Sequence, residues 1–145
     1  MGIQARIVHK LPKWIRLAPM DVMFAFLGAF SSVSTLVGWA QPSSLSQFLP
    51  WWGPLLWSIC LLTGCTAWVV GLTSIKENNG HLVLTRMPAL ILGLYLVSIA
   101  SLAYAAALVI VAGPRGLVAA TSFLAISAGT YLRRIDFASR FRGDI

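Results

Sequence analysis

The chain has 145 residues, 58% hydrophobic and only 10% charged, with 11 Lys and Arg against 4 Asp and Glu and a formal net charge of +7. Soluble domains carry about 25% charged residues, so a water-soluble fold is excluded by how little polar shell this composition could build. The surplus of cations does not point to nucleic acid as a partner, because the cations are gathered into short clusters between long uncharged tracts.

Residues 1–19 form a basic amphipathic lead. On a helical wheel Ile3, Ile7, Leu11, Trp14 and Ile15 share one side, and Arg6, His9, Lys10, Lys13 and Arg16 the other. Leu17 departs from the pattern and Pro12 argues against one unbroken helix. The segment is expected to lie along anionic headgroups, its cations toward phosphate and its apolar side chains dipped into the bilayer. A plain basic tail that only fixes topology is the alternative.

Three tracts free of Asp, Glu, Lys and Arg follow: Val22–Ile75 with 54 residues, Met87–Pro114 with 28 and Gly116–Leu132 with 17. A spanning helix needs about 20 residues, so the first tract holds two spans and the others one each. The first span is placed at about residues 20–40. Its length and its Ser31, Ser32, Ser34 and Thr35 separate it from a signal peptide, despite small residues around Trp39, so no cleaved leader is expected. Arg6 stands where myristoylation would need Ser or Thr. Asp21, at the edge of this span, is expected to cap the helix and pair with Arg16.

Gln41–Pro50 is an uncharged loop flanked by Trp39, Trp51 and Trp52. Indoles prefer the membrane–water boundary, so these three are assigned as interface anchors. The second span covers about residues 51–75, with Pro54 in its first turn. Cys60 and Cys65 are five residues apart on it, roughly 8 Å and on diverging faces, so they cannot bond to each other. Trp57 and Trp68 lie deeper and are expected to pack. Lys76–Arg86 reads as a polar turn, with Glu77-Asn78-Asn79-Gly80 as its stop signal.

The third span covers about residues 87–112, and Gly113-Pro114 ends it with a tight link. The fourth covers about 116–132 and is slightly short, so Arg115 and Arg133 are expected to snorkel at its ends. Residues 133–145 form a basic tail that can continue as a surface helix, with Asp136 and Arg140 spaced to pair and Phe137 and Phe141 on one side. Ten cations fall on one side of this layout and Arg115 alone on the other, which puts both termini in the cytoplasm. The expected fold is all-α: an antiparallel, up-down four-helix bundle, N-in and C-in, over residues 20–132 of the cytoplasmic (inner) membrane.

No ionisable residue falls near the middle of a span, and there is no phosphate loop, catalytic triad or redox Cys pair. His9 and His81 are isolated and peripheral. The chain is therefore read as non-enzymatic, with no cofactor and no metal. What each span does carry is a face of small residues. These are Gly28, Ser31, Ser32, Thr35 and Gly38 in the first, and Cys60, Gly64, Ala67 and Gly71 in the second. In the third they are Gly93, Ala100 and Ala107 beside Tyr104, and in the fourth Ser122, Ala125 and Gly129. Such faces let helix backbones approach closely. They serve either to hold one monomer together or, for the Ser/Thr faces of spans one and four above all, to drive self-association or line a lesion. The cations Arg6, Lys10, Lys13, Arg16, Arg133, Arg134, Arg140 and Arg142 are assigned to topology or to docking of lipid headgroups or a partner.

The order of features also resembles a known group. A basic start leads to Asp21 opening span one and Ser34–Gly38 (Ser-Thr-Leu-Val-Gly) ending it. Tyr104–Leu108 (Tyr-Ala-Ala-Ala-Leu) lies in span three, Ala112–Leu117 (Ala-Gly-Pro-Arg-Gly-Leu) precedes span four, and an Arg-rich end follows. Over most of its length this layout resembles the small four-span, holin-like membrane proteins of actinobacterial phages. The resemblance implies a protein that oligomerises in the cytoplasmic membrane and permeabilises it, and it assigns no functional residue. The spans depart from a holin in lacking a strongly polar face. The alternative is a non-catalytic adaptor or structural subunit that docks a membrane-protein partner through its basic ends. A small uniport channel is a third reading, with no residue to point at.

Overall fold

A computed structural model of the chain describes residues 12, 14–15, 18–39, 41–78 and 81–140. The expected roles of Arg6, Lys10, Lys13, Arg16 and Arg142, of the Phe137–Phe141 pairing and of most of the amphipathic lead lie outside these residues, and the side chain of Arg140 lies outside what is described.

Four long helices make the body: α1 (Pro19–Leu36), α3 (Gly53–Thr73), α4 (Met87–Ala112) and α5 (Leu117–Arg140). Proline opens three of them, as Pro19, Pro54 and Pro88 in the first turns of α1, α3 and α4. The first turn has no acceptor waiting for a proline N–H, and the fixed φ suits a helix start. The ends of α1 and α4 use glycine. Gly38 sits at φ 81°, and the N–H groups of Gly38 and Trp39 return to the carbonyls of Thr35 and Ser34 at 3.1 and 2.9 Å. That pair of bonds satisfies the last carbonyls of α1. Gly113 sits at φ 55° after α4 and begins the 3₁₀ turn Gly113–Gly116 that leads into α5.

Three stretches are long and apolar enough to cross a membrane: Pro19–Leu36, Gly53–Thr73 and the 51 residues Met87–Phe137. The last folds back on itself at the 3₁₀ turn. Ser98 faces Ser127, and Tyr104 meets Phe123 edge-on, so α4 and α5 run antiparallel side by side. In the same way Gly71 meets Leu90 and Gly64 meets Val97 across α3 and α4. Gly28 of α1 meets Cys65 and Leu61 of α3. The core runs along these contacts through Leu61, Trp68, Leu72, Leu90, Leu94 and Val97.

Two departures from the sequence reading concern the connections. The loop at 41–50 contains a short helix, α2 (Ser43–Phe48), which packs on α4 and buries Leu45. The turn after α3 is a hairpin, β1 (Ile75–Asn78) against β2 (His81–Leu84), antiparallel with Ile75 opposite Leu84 and Asn78 opposite His81. Asn79-Gly80, read as a helix stop, is also the strongest short hairpin signal. Ser74 joins the hairpin to the helices, since its carbonyl accepts from Thr85 Oγ1 at 3.1 Å and its Oγ from the Arg86 N–H at 3.1 Å. Residues 133–140 continue α5 without a break, the helical continuation that the sequence allowed.

Candidate functional site

The small residues are spent unevenly. Along α3 and α4 they permit backbone contact. A Cβ added at Gly93 would lie 2.4 Å from the Trp68 amide nitrogen, and one at Gly71 would lie 2.6 Å from the Leu90 Cα. Gly64 lies under Val97, Ala67 is half-buried on the same helix, and Cys60 is half-buried one turn before Gly64. On α1 the contacts are thinner. Gly28 faces the Cys65 thiol, and Ser32 is fully buried with its Oγ donating to the Gly28 carbonyl at 2.8 Å. Thr35 Oγ1 donates to the Ser31 carbonyl at 3.0 Å, and Gly38 stands at the exposed helix end with nothing near it. On α5 the outcome reverses: Ser122, Ala125 and Gly129 all face outward, and nothing lies within 4 Å of a Cβ added at Gly129.

Because α1 leans on α3, a cavity of about 430 Å³ opens between α1 and the other three long helices. Phe24, Leu27 and Ser31 of α1 line one wall. Trp57, Leu61 and Trp68 of α3 line the floor, and Val97, Tyr104 and Phe123 the far side. Gln41 and Pro42 line it from the α1–α2 link. An aromatic ladder joins the floor to the far side. Trp57 and Tyr104 have ring centroids 5.3 Å apart, and Tyr104 meets Phe123 edge-on at 4.6 Å. The volume falls in the range of small-molecule pockets, about 300–1,000 Å³.

The two deep indoles differ. Trp57 Nε1 donates to the Ala100 carbonyl at 2.9 Å, tying α3 to α4. Trp68 is 2% exposed, and its Nε1–H is buried without a partner among the described residues. Both were expected to pack, and both do. The unpaired donor has no signature in the sequence.

At the other end of α1 an ion pair closes the gap to α5. Arg133 Nη2 donates to Asp21 Oδ2 at 3.0 Å, and Asp136 lies 3.8 Å from Nη1. The Arg133 guanidinium also stacks over Phe137 at 5.0 Å. No side chain caps α1, so Asp21 acts as a tether rather than a cap. Its partner 112 residues away was not readable from local spacing. Arg134 lies over Tyr95 at 5.3 Å and Tyr131 at 5.6 Å. Trp39, Trp51 and Trp52 are exposed together at the opposite end. Among the described residues, no three His, Cys, Asp or Glu gather into a possible metal site.

The arrangement can therefore hold an apolar molecule between helices and present an uncovered small-residue face on α5. Compared with known protein families, curated proteins and solved structures, the chain matches none.

Proposed function

We propose that this is a non-enzymatic membrane protein that crosses the cytoplasmic membrane four times with both ends inside, self-associates and permeabilises the bilayer in the manner of a holin. The carrying observation is the outer face of α5. Val118, Ser122, Ala125, Gly129 and Leu132 recur at steps of four, three, four and three, and all are exposed. Small faces of this kind let a second helix approach closely within lipid, where apolar burial alone gives no drive to associate. The small residues of α3 and α4 are occupied inside the chain, so the unit that assembles is the folded module. Orientation is supported by the distribution of cations: Lys76, Arg86, Arg133 and Arg134 fall on the side of the Asp21–Arg133 tether and Arg115 on the other.

The test is induced expression of the chain alone, followed with a potential-sensitive dye. Collapse of the membrane potential is expected, with relief by Gly129→Leu. A fully polarised, growing culture at high expression removes the reading.

A second reading, an adaptor that docks a partner at the basic end, is favoured by one observation. Arg134 borders a shallow surface groove with Met87, Pro88, Ile91 and Leu92. Here the protein co-purifies with a partner in mild detergent, and Arg134→Ala weakens that association. Recovery of the bare chain under those conditions counts against it.

A further inference from the structure

Arg133 and Arg134 are neighbours in the chain with opposite surroundings. The two acids whose side chains are described, Asp21 and Asp136, both lie against Arg133, at 3.0 and 3.8 Å. The Arg134 guanidinium instead lies over the rings of Tyr95 and Tyr131 at 5.3 and 5.6 Å. Among the described residues no oxygen receives its five N–H donors. Ring faces attract a cation, but they supply no counter-charge. The depth of Arg134 sharpens the point. Ser98 and Ser127 set the level of α4 against α5, so seven residues nearer the basic end Arg134 is level with Ile91. Ile91 is four residues, roughly 6 Å, past the start of α4 at Met87. A helical side chain leans toward the N-terminus of its helix, which on α5 is away from the basic end. The contact with Tyr131, three residues earlier, shows Arg134 leaning that way. The cation is thus held inward instead of reaching up to water, as interfacial arginines commonly do. It borders a surface groove of Met87, Pro88, Ile91, Leu92 and Tyr95, and the same face of α4 continues through Ile99 and Leu102, both exposed.

We propose that this groove binds one anionic glycerophospholipid, its phosphodiester on the Arg134 guanidinium and an acyl chain along Leu92, Ile99 and Leu102. A cation without a counter-charge, set beside a groove of hydrocarbon, is complementary to an amphiphile with an anionic head and an apolar tail. Guanidinium suits phosphate in particular, because two parallel N–H donors meet two oxygens. The bilayer supplies such lipids, and Arg86, exposed at the start of α4, adds to the attraction. A zwitterionic lipid carries its own cation beside the phosphate and gains less. A protein partner would compete for the same groove. The proposal rests on the chain lying in a bilayer and not on its permeabilising activity.

The experiment is native mass spectrometry of the protein in mild detergent, offered an equal mixture of dioleoylphosphatidylglycerol and dioleoylphosphatidylcholine. One phosphatidylglycerol per chain is expected to be retained, about tenfold over phosphatidylcholine, the worth of one charge-assisted contact. Arg134→Gln should remove the preference, and Arg86→Gln should leave most of it. Glycerophosphoglycerol, the same head without chains, should not displace the lipid. Equal retention of the two lipids by the unaltered protein, or displacement by the chainless head, overturns the proposal without any variant having to fold. Equal losses from the two arginine variants overturn it as well, by showing attraction to a diffuse basic surface. A protein partner that stays on the groove in excess phosphatidylglycerol also overturns it. A polypeptide that stays dispersed without detergent would instead defeat the membrane reading itself, and a leak assay scores permeabilisation separately.

Discussion

Gly93 on α4 lies against the backbone of Trp68 and Gly64, whereas Gly28 on α1 lies against two side-chain ends, the Cys65 thiol and a Leu61 methyl. Both belong to small-residue faces of similar composition, yet one seals an interface and the other leaves room beside it. The difference follows from what surrounds them. Helices α3 and α4 meet along their lengths through Gly64, Gly71 and Gly93 and are pinned by the Trp57–Ala100 bond. Only 17% of α1 is buried, against 39% of the spanning stretch of α3. Apart from its packing on α3, α1 is held to the body by the Asp21–Arg133 pair. A small face thus gives the opportunity for contact, and the neighbour decides whether it is taken.

Substitutions that add one methyl sharpen this contrast. Gly93→Ala is expected to be the most damaging. Its Cβ would meet backbone atoms 2.4 and 2.7 Å away, and overpacking against groups that cannot move costs about 3 kcal/mol or more. Unfolding followed by tryptophan fluorescence in mixed micelles reads it, and an unchanged midpoint would mean that α3 and α4 are not in backbone contact. Gly28→Ala crowds the Cys65 Sγ at 2.7 Å, the movable end of a side chain, and meets the Leu61 Cδ1 at an ordinary 3.8 Å. About 1 kcal/mol is expected, recovered by adding Cys65→Ala; a loss that Cys65→Ala does not relieve would show that α1 is as tightly seated as α4.

Breaking the tether probes the same flank. Asp21→Asn leaves Arg133 without its charged partner across the α1–α5 gap. The pair is partly exposed, so about 1 kcal/mol is expected, weakening further in high salt. The sharper readout is Cys65, 1% exposed beneath Gly28. In a Cys60→Ala background its labelling by a small thiol reagent should rise several-fold. Unchanged labelling would mean that packing on α3 alone seats α1.

The smallest effects belong to α4 and α5. Ser98 and Ser127 exchange hydrogen bonds at 3.0 Å across them. Either alanine should cost about 0.6 kcal/mol, with the double variant little worse than each single; fully additive losses would deny the pair. Gly129→Ala should leave the monomer's stability within about 0.5 kcal/mol, since nothing lies near it.

The spans were legible because their signal is the absence of charge. The expected 87–112 coincides with α4, and 20–40 and 51–75 each enclose most of α1 and α3. Local chemistry also marked where one helix begins and another ends, at Pro54 and Gly113. What could not be read was anything set by distance across the fold. Asp21 had a near candidate in Arg16 and is bonded to Arg133. Ser122, Ala125 and Gly129 share the composition of Gly64 and Gly71 but face outward, because periodicity defines a face without saying what it meets. The cavity is a tertiary feature entirely, arising from which neighbour α1 leans on.

The claim beneath all of this is that α4 and α5 are two separate crossings, so that the Gly113–Gly116 turn and the hairpin after α3 lie on opposite sides of a bilayer. Single cysteines at Ser46, Arg115 and Thr85, in a background lacking Cys60 and Cys65, can be challenged in intact cells with a membrane-impermeant maleimide. Labelling of the first two from outside, and of the third only after the membrane is opened, is the predicted pattern. Labelling of Arg115→Cys and Thr85→Cys from the same side would contradict it.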